Sequence, residues 1–576
     1  MNDSTKNLEA LINTRLVQLL GSNLDTAGAN ITPHPNDQWQ AASIWDRQLD
    51  CLIWTIKKSG PDAKEKPSEQ IHNVYPTSIA WLPDGSGFYY DYLLPFTGQH
   101  ALYYHRCGTS QQADICLLYE PTQPNWYYQP YVSPNGRWLA VSILNHTATN
   151  RLRIIPLFPT NQPPIELIDH FTGRYDLLDW QEDRLLLRAI TPDTPHGRLL
   201  TINLPHPTPT EQITCHDGLL LDAVSLKEGW ITNRLDDTGV TELCYQTNNH
   251  QTIIPLPGLG TVDELTSNPT TNQIQFTYSD YTRPAQRYRW QPSNSQPELI
   301  GELPTLPFDP ADFVTHTAQI PSTAGVTVPI FYAHKRTLSA TQPKPTLLTA
   351  YGGLGTPLLP RFAPDVLAWL EMGGLFVSVC ARGGNEKGAA WHKAAVGQRK
   401  QHTFDDVLAT ARWLITTQMT TATQLGLWGT SNGGLTAGVC LTQAPDLFGA
   451  VVIESGLLDM LNYHRLGQGT NWLAEYGSPD DPTVRETLAA YSPLHNLTPR
   501  PYPATLITTS NDDPRVGEAH SLRFAQALQT AQTGSAPITL RIYPGSGHGV
   551  PLDQEEWVTQ TAVRLTFLAH HLGLAT

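Results

Sequence analysis

Five strand-like segments in the second half of the chain constrain its architecture more than any other feature. The runs PTLLTAYGG (345–353), GLFVSVCARGG (374–384), LGLWGTS (425–431), GAVVIESG (449–456) and PATLITTS (503–510) are apolar at consecutive positions, so both faces of each must be covered. Helical text separates them, including FDDVLATARWLITT (404–417) and HSLRFAQALQTAQ (520–532). Strands buried on both faces and alternating with helices make a mainly parallel, doubly wound sheet. Ligands of such sheets bind beyond the carboxyl ends of the strands, so function is sought there.

The first half is written differently. SIAWLPDGSGFYYDY (78–92) runs from an apolar strand through Pro-Asp-Gly into an aromatic strand, and PYVSPNGRWLAVSI (130–143) repeats that order. LLDWQEDRLLLRAI (177–190), AVSLKEGWITNR (223–234) and ELTSNPTTNQIQFTY (264–278) are weaker copies. A repeat of roughly 40 to 50 residues holding about four strands predicts a propeller blade. Five blades are readable, and a sixth begins at AASIWDRQLDCLIWTI (41–56), where Ile44, Trp45, Leu49, Leu52 and Trp54 alternate less cleanly. The competing reading is a β-sandwich or unrelated meanders. Three prolines in ELPTLPFDPADF (302–313) mark the crossing between halves, which divides the chain into an N-terminal segment 1–39, a propeller 40–306 and a catalytic half 307–576.

Size and composition agree with two domains. A chain of 576 residues exceeds one ordinary core, and 47 prolines with 42 glycines favour turns over long helices. A net charge of −15 argues against nucleic acid or an anionic membrane as partner, since either rewards a basic patch. Seven cysteines form no CxxC pair and no zinc-spaced cluster, which fits a reducing compartment and no metal. The opening residues carry helical spacing at Leu8, Leu11, Ile12, Leu16 and Leu19 without a signal-peptide core, and no run nears the roughly 18 apolar residues of a membrane span. The expectation is a soluble cytoplasmic protein. There is no HExxH, and GGNEKGAA (383–390) lacks the Lys-Ser ending of a phosphate loop, so no cofactor is expected.

Chemistry centres on LWGTSNGGLT (427–436). Gly429-Thr-Ser431-Asn-Gly433 follows a strand and precedes a helix, the context of a nucleophile elbow, in which small neighbours let the chain turn sharply under the serine. A serine hydroxyl is a weak nucleophile, so a base and an orienting acid must follow it. His548 lies in the glycine-rich loop YPGSGHGV (543–550) after a strand; His495 and His520 lie in or beside helical text, where surface roles are expected. LITTSNDDPRV (506–516) sets Asp512 and Asp513 just beyond a strand, and composition does not separate them.

AYGGLG, ARGGNEKGAAWHKA, KQHTFDD, GTSNGGL, APDLFGAVV, DMLNYHRLGQGTNWLAEYGSPDD, YSPLHNL, DDPRV and GHG occur in this order in the second half. In sequence and spacing they resemble the prolyl oligopeptidases, serine peptidases in which a β-propeller caps an α/β-hydrolase domain. The resemblance implies that the acid is the one two positions before an arginine, Asp513. It implies an oxyanion hole of the Tyr351 hydroxyl and the Asn432 backbone N–H, and a proline pocket of Trp472 and Tyr476 walled by Leu457 and Val516. Leu354 stands where the family usually has phenylalanine, and Arg515 resembles the arginine that holds a substrate carbonyl. A flat indole against a pyrrolidine buries apolar area without asking for an N–H that proline lacks.

The implied activity is hydrolysis of short oligopeptides on the carboxyl side of proline through an acyl-enzyme. The alternatives are an acylaminoacyl-type peptidase or esterase of the same fold, or a catalytically idle propeller that binds partners. The implied partners are short proline-containing peptides, without nucleic acid or membrane. The family has seven blades after an N-terminal segment, whereas residues 40–306 hold about six at about 45 residues each. The front thus reads as shortened. A reclosed ring predicts a monomer; an open one leaves strand edges that favour association.

Overall fold

The computed structural model of the chain describes residues 3–20, 31–33, 39–46, 51–58, 69–75, 79–145, 148–158, 162–247, 250–268, 270–301, 306–338, 342–548 and 554–574. It divides into two compact units, one of residues Ala27–His216 and one of Met1–Thr26 with Asp217–Thr576.

The catalytic half is an eight-stranded sheet of β1 (Phe313–Pro321), β2 (Thr327–Lys335), β3 (Thr346–Ala350), β4 (Leu375–Val379), β5 (Leu425–Thr430), β6 (Ala450–Glu454), β7 (Ala504–Thr509) and β8 (Ile538–Ile542), in the spatial order β1-β2-β4-β3-β5-β6-β7-β8. The β1–β2 and β2–β4 pairs are antiparallel, and β3 to β8 are parallel. The continuous apolar runs have the cause expected of them: alternate residues enter two different cores. Leu347, Phe376, Val452 and Leu506 pack with helices Asp3–Leu20, Pro364–Glu371 and Gln554–Leu572. Leu348, Val377, Ile453 and Ile507 pack with helices Gln401–Thr416, Asn432–Gln443 and Ala519–Ala531. Each such side chain contributes roughly 1.5–3 kcal/mol by leaving water.

In the N-terminal helix, Leu8, Ile12, Leu16 and Leu19 are buried as the spacing predicts, but Leu11 is 62% exposed. At about 100° per residue it falls roughly 110° from the centre of the buried stripe. Leu20, which the spacing left out, is buried instead. Arg15 fixes the helix to the core through Glu371, Nε to Oε2 at 2.7 Å.

The first half is a propeller domain of antiparallel sheets in groups of four strands. The first eight strands, from Ile31–Pro33 to Ile115–Tyr119, form one sheet because the pair Val74 and Tyr92 joins two groups of four. Four separate four-stranded sheets follow, spanning 127–168, 174–214, 219–254 and 261–299. Strand Ile31–Pro33 pairs with Trp39–Asp46, so the first sheet begins inside the segment 1–39, in a strand too short to read from sequence. Within 41–56, Ala41, Ser43, Cys51, Leu52, Trp54 and Ile56 are buried and Trp45 packs on their core; Ile44 points out, 56% exposed, and Leu49 lies outside the described residues. Small inward residues on the first of these strands are what blurred the alternation.

Neighbouring sheets share cores: Trp138, Ile154, Leu187 and Leu200 pack together in one, and Val224, Ile231, Phe276 and Trp290 in another. The last sheet joins the catalytic half through Tyr281 Oη and Ser378 Oγ at 2.6 Å, and through Thr261 Oγ1 donating to Pro360 O at 2.7 Å. No described helix is long and apolar enough to cross a membrane.

Candidate active site

Ser431 joins β5 to helix Asn432–Gln443 at φ 59° and ψ −120°, a conformation that costs a non-glycine residue on the order of 1–3 kcal/mol. Its neighbours allow the turn. A Cβ on Gly429 would lie 2.0 Å from Gly433 O, and one on Gly433 would lie 2.8 Å from Ala350 O. The strain is held from both sides, by Ser431 N–H donating to Glu454 O at 2.9 Å and Leu435 N–H donating to Ser431 O at 3.1 Å.

Glu454, at the end of β6, buttresses this turn. Its Oε2 accepts from Trp428 Nε1 at 2.8 Å and Thr430 Oγ1 at 2.9 Å, and both carboxylate oxygens accept from Arg564 Nη1. Arg564 also donates to Asp365 Oδ2 at 2.7 Å and lies 4.0 Å from the centre of the Trp428 ring. A cavity of about 190 Å³ opens among these groups and Tyr543; Ser431, His548 and Trp472 do not line it.

Tyr351 follows β3 directly. Burial raises its hydroxyl above the ordinary phenol range and the charge of Glu475 adds to the rise, while the nearby Ser431 hydroxyl and the charge of Arg515 act to lower it. Asn432 begins the helix, and its buried side chain locks two neighbours: Nδ2 donates to Tyr351 O at 2.6 Å, and Oδ1 accepts from Tyr476 Oη at 2.7 Å. The tyrosine expected only as a pocket wall thus also holds the elbow to the segment that carries it.

The two adjacent acids part company. Asp513 Oδ2 meets His548 Nδ1 at 2.8 Å, while Oδ1 accepts the backbone N–H groups of Arg515 at 2.9 Å and Val516 at 3.0 Å. Burial opposes the Asp513 charge, but His548 and the two backbone donors outweigh it and hold the carboxyl below its usual range. Asp512 Oδ1 instead accepts Gly547 N–H at 3.1 Å and the Ser510 hydroxyl, so it fastens the loop that carries His548. His548 Nε2 is buried and has no hydrogen-bond partner among the described residues. The hydrogen bond from Ser431 to that nitrogen is therefore not made in this structure.

Leu457, Val516 and Tyr476 belong to one buried cluster, and half-buried Trp472 packs on it. Leu354 stands apart, exposed, at φ 56°. Arg515 is half-buried, close enough for its charge to act on Tyr351. His520 is not a surface residue: it is fully buried, with Nδ1 accepting from Leu458 N–H at 3.2 Å and Asp459 N–H at 3.0 Å. His495 is partly exposed and shares a 2.8 Å hydrogen bond with Ser492 Oγ. Sequence reasoning missed Glu454, Arg564 and the Asn432 side chain, whose partners are distant in the chain.

A family model described as the prolyl oligopeptidase family matches residues 360–575, and one for its N-terminal β-propeller domain matches residues 54–302. The prolyl endopeptidase of Elizabethkingia miricola is 29% identical over 529 residues, covering 89% of this chain and 74% of that protein. The prolyl endopeptidase of Dictyostelium discoideum is 28% identical over 507 residues, covering 83% and 66%. Among solved structures, one from a study of two prolyl endopeptidases and their inter-domain dynamics matches with TM-score 0.86 at 27% identity, over 95% of this chain and 82% of that one. Prolyl oligopeptidase B from Galerina marginata, bound to a 35-residue hydrolysis and macrocyclisation substrate, matches with TM-score 0.86 at 22% identity, over 96% and 81%, a likeness of fold alone.

Proposed function

We propose, for a chain that belongs to the prolyl oligopeptidase family and is a serine-type peptide hydrolase, that it cleaves short peptides on the carboxyl side of proline through an acyl-enzyme on Ser431. The Ser431 hydroxyl attacks the prolyl carbonyl while His548 Nε2 takes its proton, and Asp513 holds the imidazole through Nδ1. The oxyanion that forms accepts from the Tyr351 hydroxyl and the Asn432 backbone N–H, each worth roughly 3 kcal/mol to the transition state. His548 then passes its proton to the leaving amine. Water, activated by the same imidazole, releases the peptide acid. The observation that most supports this reading is Ser431 itself, strained at φ 59° at the end of β5 and held there by its backbone bonds to Glu454 O and Leu435 N–H.

In this reading Trp472 stacks on the proline ring, Tyr476, Leu457 and Val516 wall its pocket, Leu354 lies at the mouth, and Arg515 holds a substrate carbonyl. The propeller takes residues 40–306 together with strand Ile31–Pro33, and residues 307–576 carry the chemistry. We further propose a cytoplasmic monomer acting on peptides, without nucleic-acid or membrane partners. None of the seven cysteines is in a disulfide, in keeping with a reducing compartment.

A blocked Gly-Pro fluorogenic amide, assayed beside alanyl and N-acetyl-alanyl analogues, tests the proposal. Prolyl turnover is expected to dominate, a fluorophosphonate to label Ser431, and Ser431→Ala to abolish both. Trp472→Ala is expected to cut prolyl kcat/KM by roughly 10- to 200-fold and alanyl kcat/KM by less. Preferred turnover of N-acetyl-alanyl amide would replace the proposal with an acylaminoacyl peptidase, and no labelling with no turnover would leave a binding protein.

A further inference from the structure

Behind Tyr351 lies a buried charged group that the serine, the histidine and the aspartate do not require. Lys400 has no exposed surface, and its ammonium donates to Glu475 Oε1 at 2.8 Å and to Gly352 O at 2.9 Å. The same ammonium lies 5.4 Å from the centre of the Tyr476 ring. The other oxygen of Glu475 meets His392 Nε2 at 2.8 Å. Burial opposes the Glu475 charge, but Lys400 and His392 outweigh it and hold the carboxyl down at about 2, so Glu475 keeps its charge near neutral pH.

The geometry ties two pieces of the site together. Gly352 follows Tyr351, and its carbonyl takes both the Lys400 ammonium and Thr403 Oγ1, the latter at 3.0 Å. The preceding carbonyl, Tyr351 O, takes Asn432 Nδ2 and Thr436 Oγ1, at 2.6 and 3.1 Å. Two consecutive carbonyls of one turn are therefore clamped by four side-chain donors. Glu475 sits in the helical turn Leu473–Tyr476, immediately after Trp472. One ammonium thus joins the turn that carries the Tyr351 hydroxyl to the segment that carries Trp472 and Tyr476. A buried ion pair is a poor way to add stability, because desolvation offsets most of the attraction and apolar residues of like shape do as well. Its directional bonds do fix a geometry.

We propose that Lys400 is a positioning residue that sets the Tyr351 hydroxyl in register with the proline pocket of Trp472 and Tyr476, so that the rate of the chemical step depends on this bridge. The proposal rests on the roles given above to Tyr351 and Trp472.

The single variant Lys400→Met leaves Glu475 buried without its cation and is expected to lower both stability and kcat, which alone would not separate position from folding. The double variant Lys400→Met with Glu475→Gln removes both charges. It is expected to recover most of the lost Tm while kcat for the Gly-Pro amide stays roughly 10- to 100-fold below wild type, with KM within about threefold, a smaller loss than that of an oxyanion donor removed outright. Added to Tyr351→Phe, the same pair of substitutions is expected to lower kcat by no more than about twofold further, because the group it positions is gone. A double variant that recovers kcat along with Tm would overturn the proposal, and so would full additivity with Tyr351→Phe. Failure of the underlying reading looks different: wild-type protein would then show no preference for the prolyl amide, or Tyr351→Phe would itself leave kcat unchanged.

Discussion

His548 and His105 each meet a buried carboxylate through Nδ1 at 2.8 Å, and what stands at Nε2 sets them apart. His105 lies in the first sheet of the propeller domain, where Asp114 Oδ1 takes Nδ1 and Glu69 Oε2 takes Nε2 at 3.1 Å. Burial alone would lower its pKa, but the two carboxylates outweigh it and push it up to about 9. Both nitrogens then donate as a fixed imidazolium, which cannot accept a proton near neutral pH. In the catalytic half, Asp513 holds one nitrogen of His548 and the other has no partner among the described residues. A carboxylate beside a histidine is therefore no sign of a catalytic base until the second nitrogen is known to be available.

Catalysis provides the largest expected difference. His548→Ala is expected to lower kcat by about 10⁴-fold or more and Asp513→Asn by about 10³- to 10⁴-fold, with denaturant midpoints close to wild type. Asp512→Asn, which loosens the loop but leaves the Asp513 bond, is expected to cost far less. His105→Gln is expected to keep kcat within about threefold at pH 7. Steady-state assays with the Gly-Pro amide, run beside urea denaturation, check all four. Full activity in Asp513→Asn with loss in Asp512→Asn would reverse the assignment of the acid, and a folded but inactive His105→Gln would break the comparison.

The sequence made some of this contrast legible and hid the rest for physical reasons. Strands apolar at every position announced a sheet buried on both faces, and Gly429 and Gly433 announced the turn under Ser431 because no Cβ fits there. His548 was readable from its glycine loop after a strand. Asp512 and Asp513 were not separable in the residues alone, since both follow β7; in the structure their contacts differ, an oxygen of Asp513 reaching the imidazole and one of Asp512 reaching Gly547 N–H. Arg564 and Glu454 lie 110 residues apart and Lys400 and Glu475 lie 75 apart, pairs that only tertiary packing creates and no local pattern marks. His520 is a different failure. It stands four residues before Phe524 and eight before Leu528, both buried, so its place on the inward stripe of that helix was there to be read.

His520 sharpens the comparison as a histidine kept neutral. Burial pushes its pKa down to about 4, with Asp459 pulling the other way and Arg523 adding to the fall, while Nδ1 accepts two backbone N–H groups. The unfolded chain binds this proton near pH 6.5 and the folded one only near 4, so the stability it contributes is present above pH 6.5 and is lost as pH falls toward 4, by about 3 kcal/mol. His520→Gln supplies an acceptor that does not titrate. Urea midpoints between pH 7 and 4 are expected to fall less steeply in the variant than in wild type, and parallel curves would mean that His520 is charged in the folded state.

His105 makes the smallest and most local prediction, with the opposite sign. Its pKa is raised from 6.5 to about 9, so its contribution is fully present below pH 6.5 and is lost as pH rises through 9. The Glu69 carboxylate is 18% exposed, and water screens that half of the interaction, so the loss is roughly 2 kcal/mol rather than the full shift. The effect belongs to strand His100–Arg106, which carries His105, and to its neighbour Gly87–Leu93, which pairs with it along its whole length and whose Phe88 ring lies 5.0 Å from the His105 ring. Amide exchange, corrected for its intrinsic dependence on pH, is expected to show these strands losing protection between pH 7 and 9.5 while β5 and β6 keep theirs. In His105→Gln, which has no charge to lose, protection is expected to be lower at pH 7 and flat across the range. Equal loss in both regions of the wild type would mean that the alkaline transition is global and that the charge of His105 does not hold these strands.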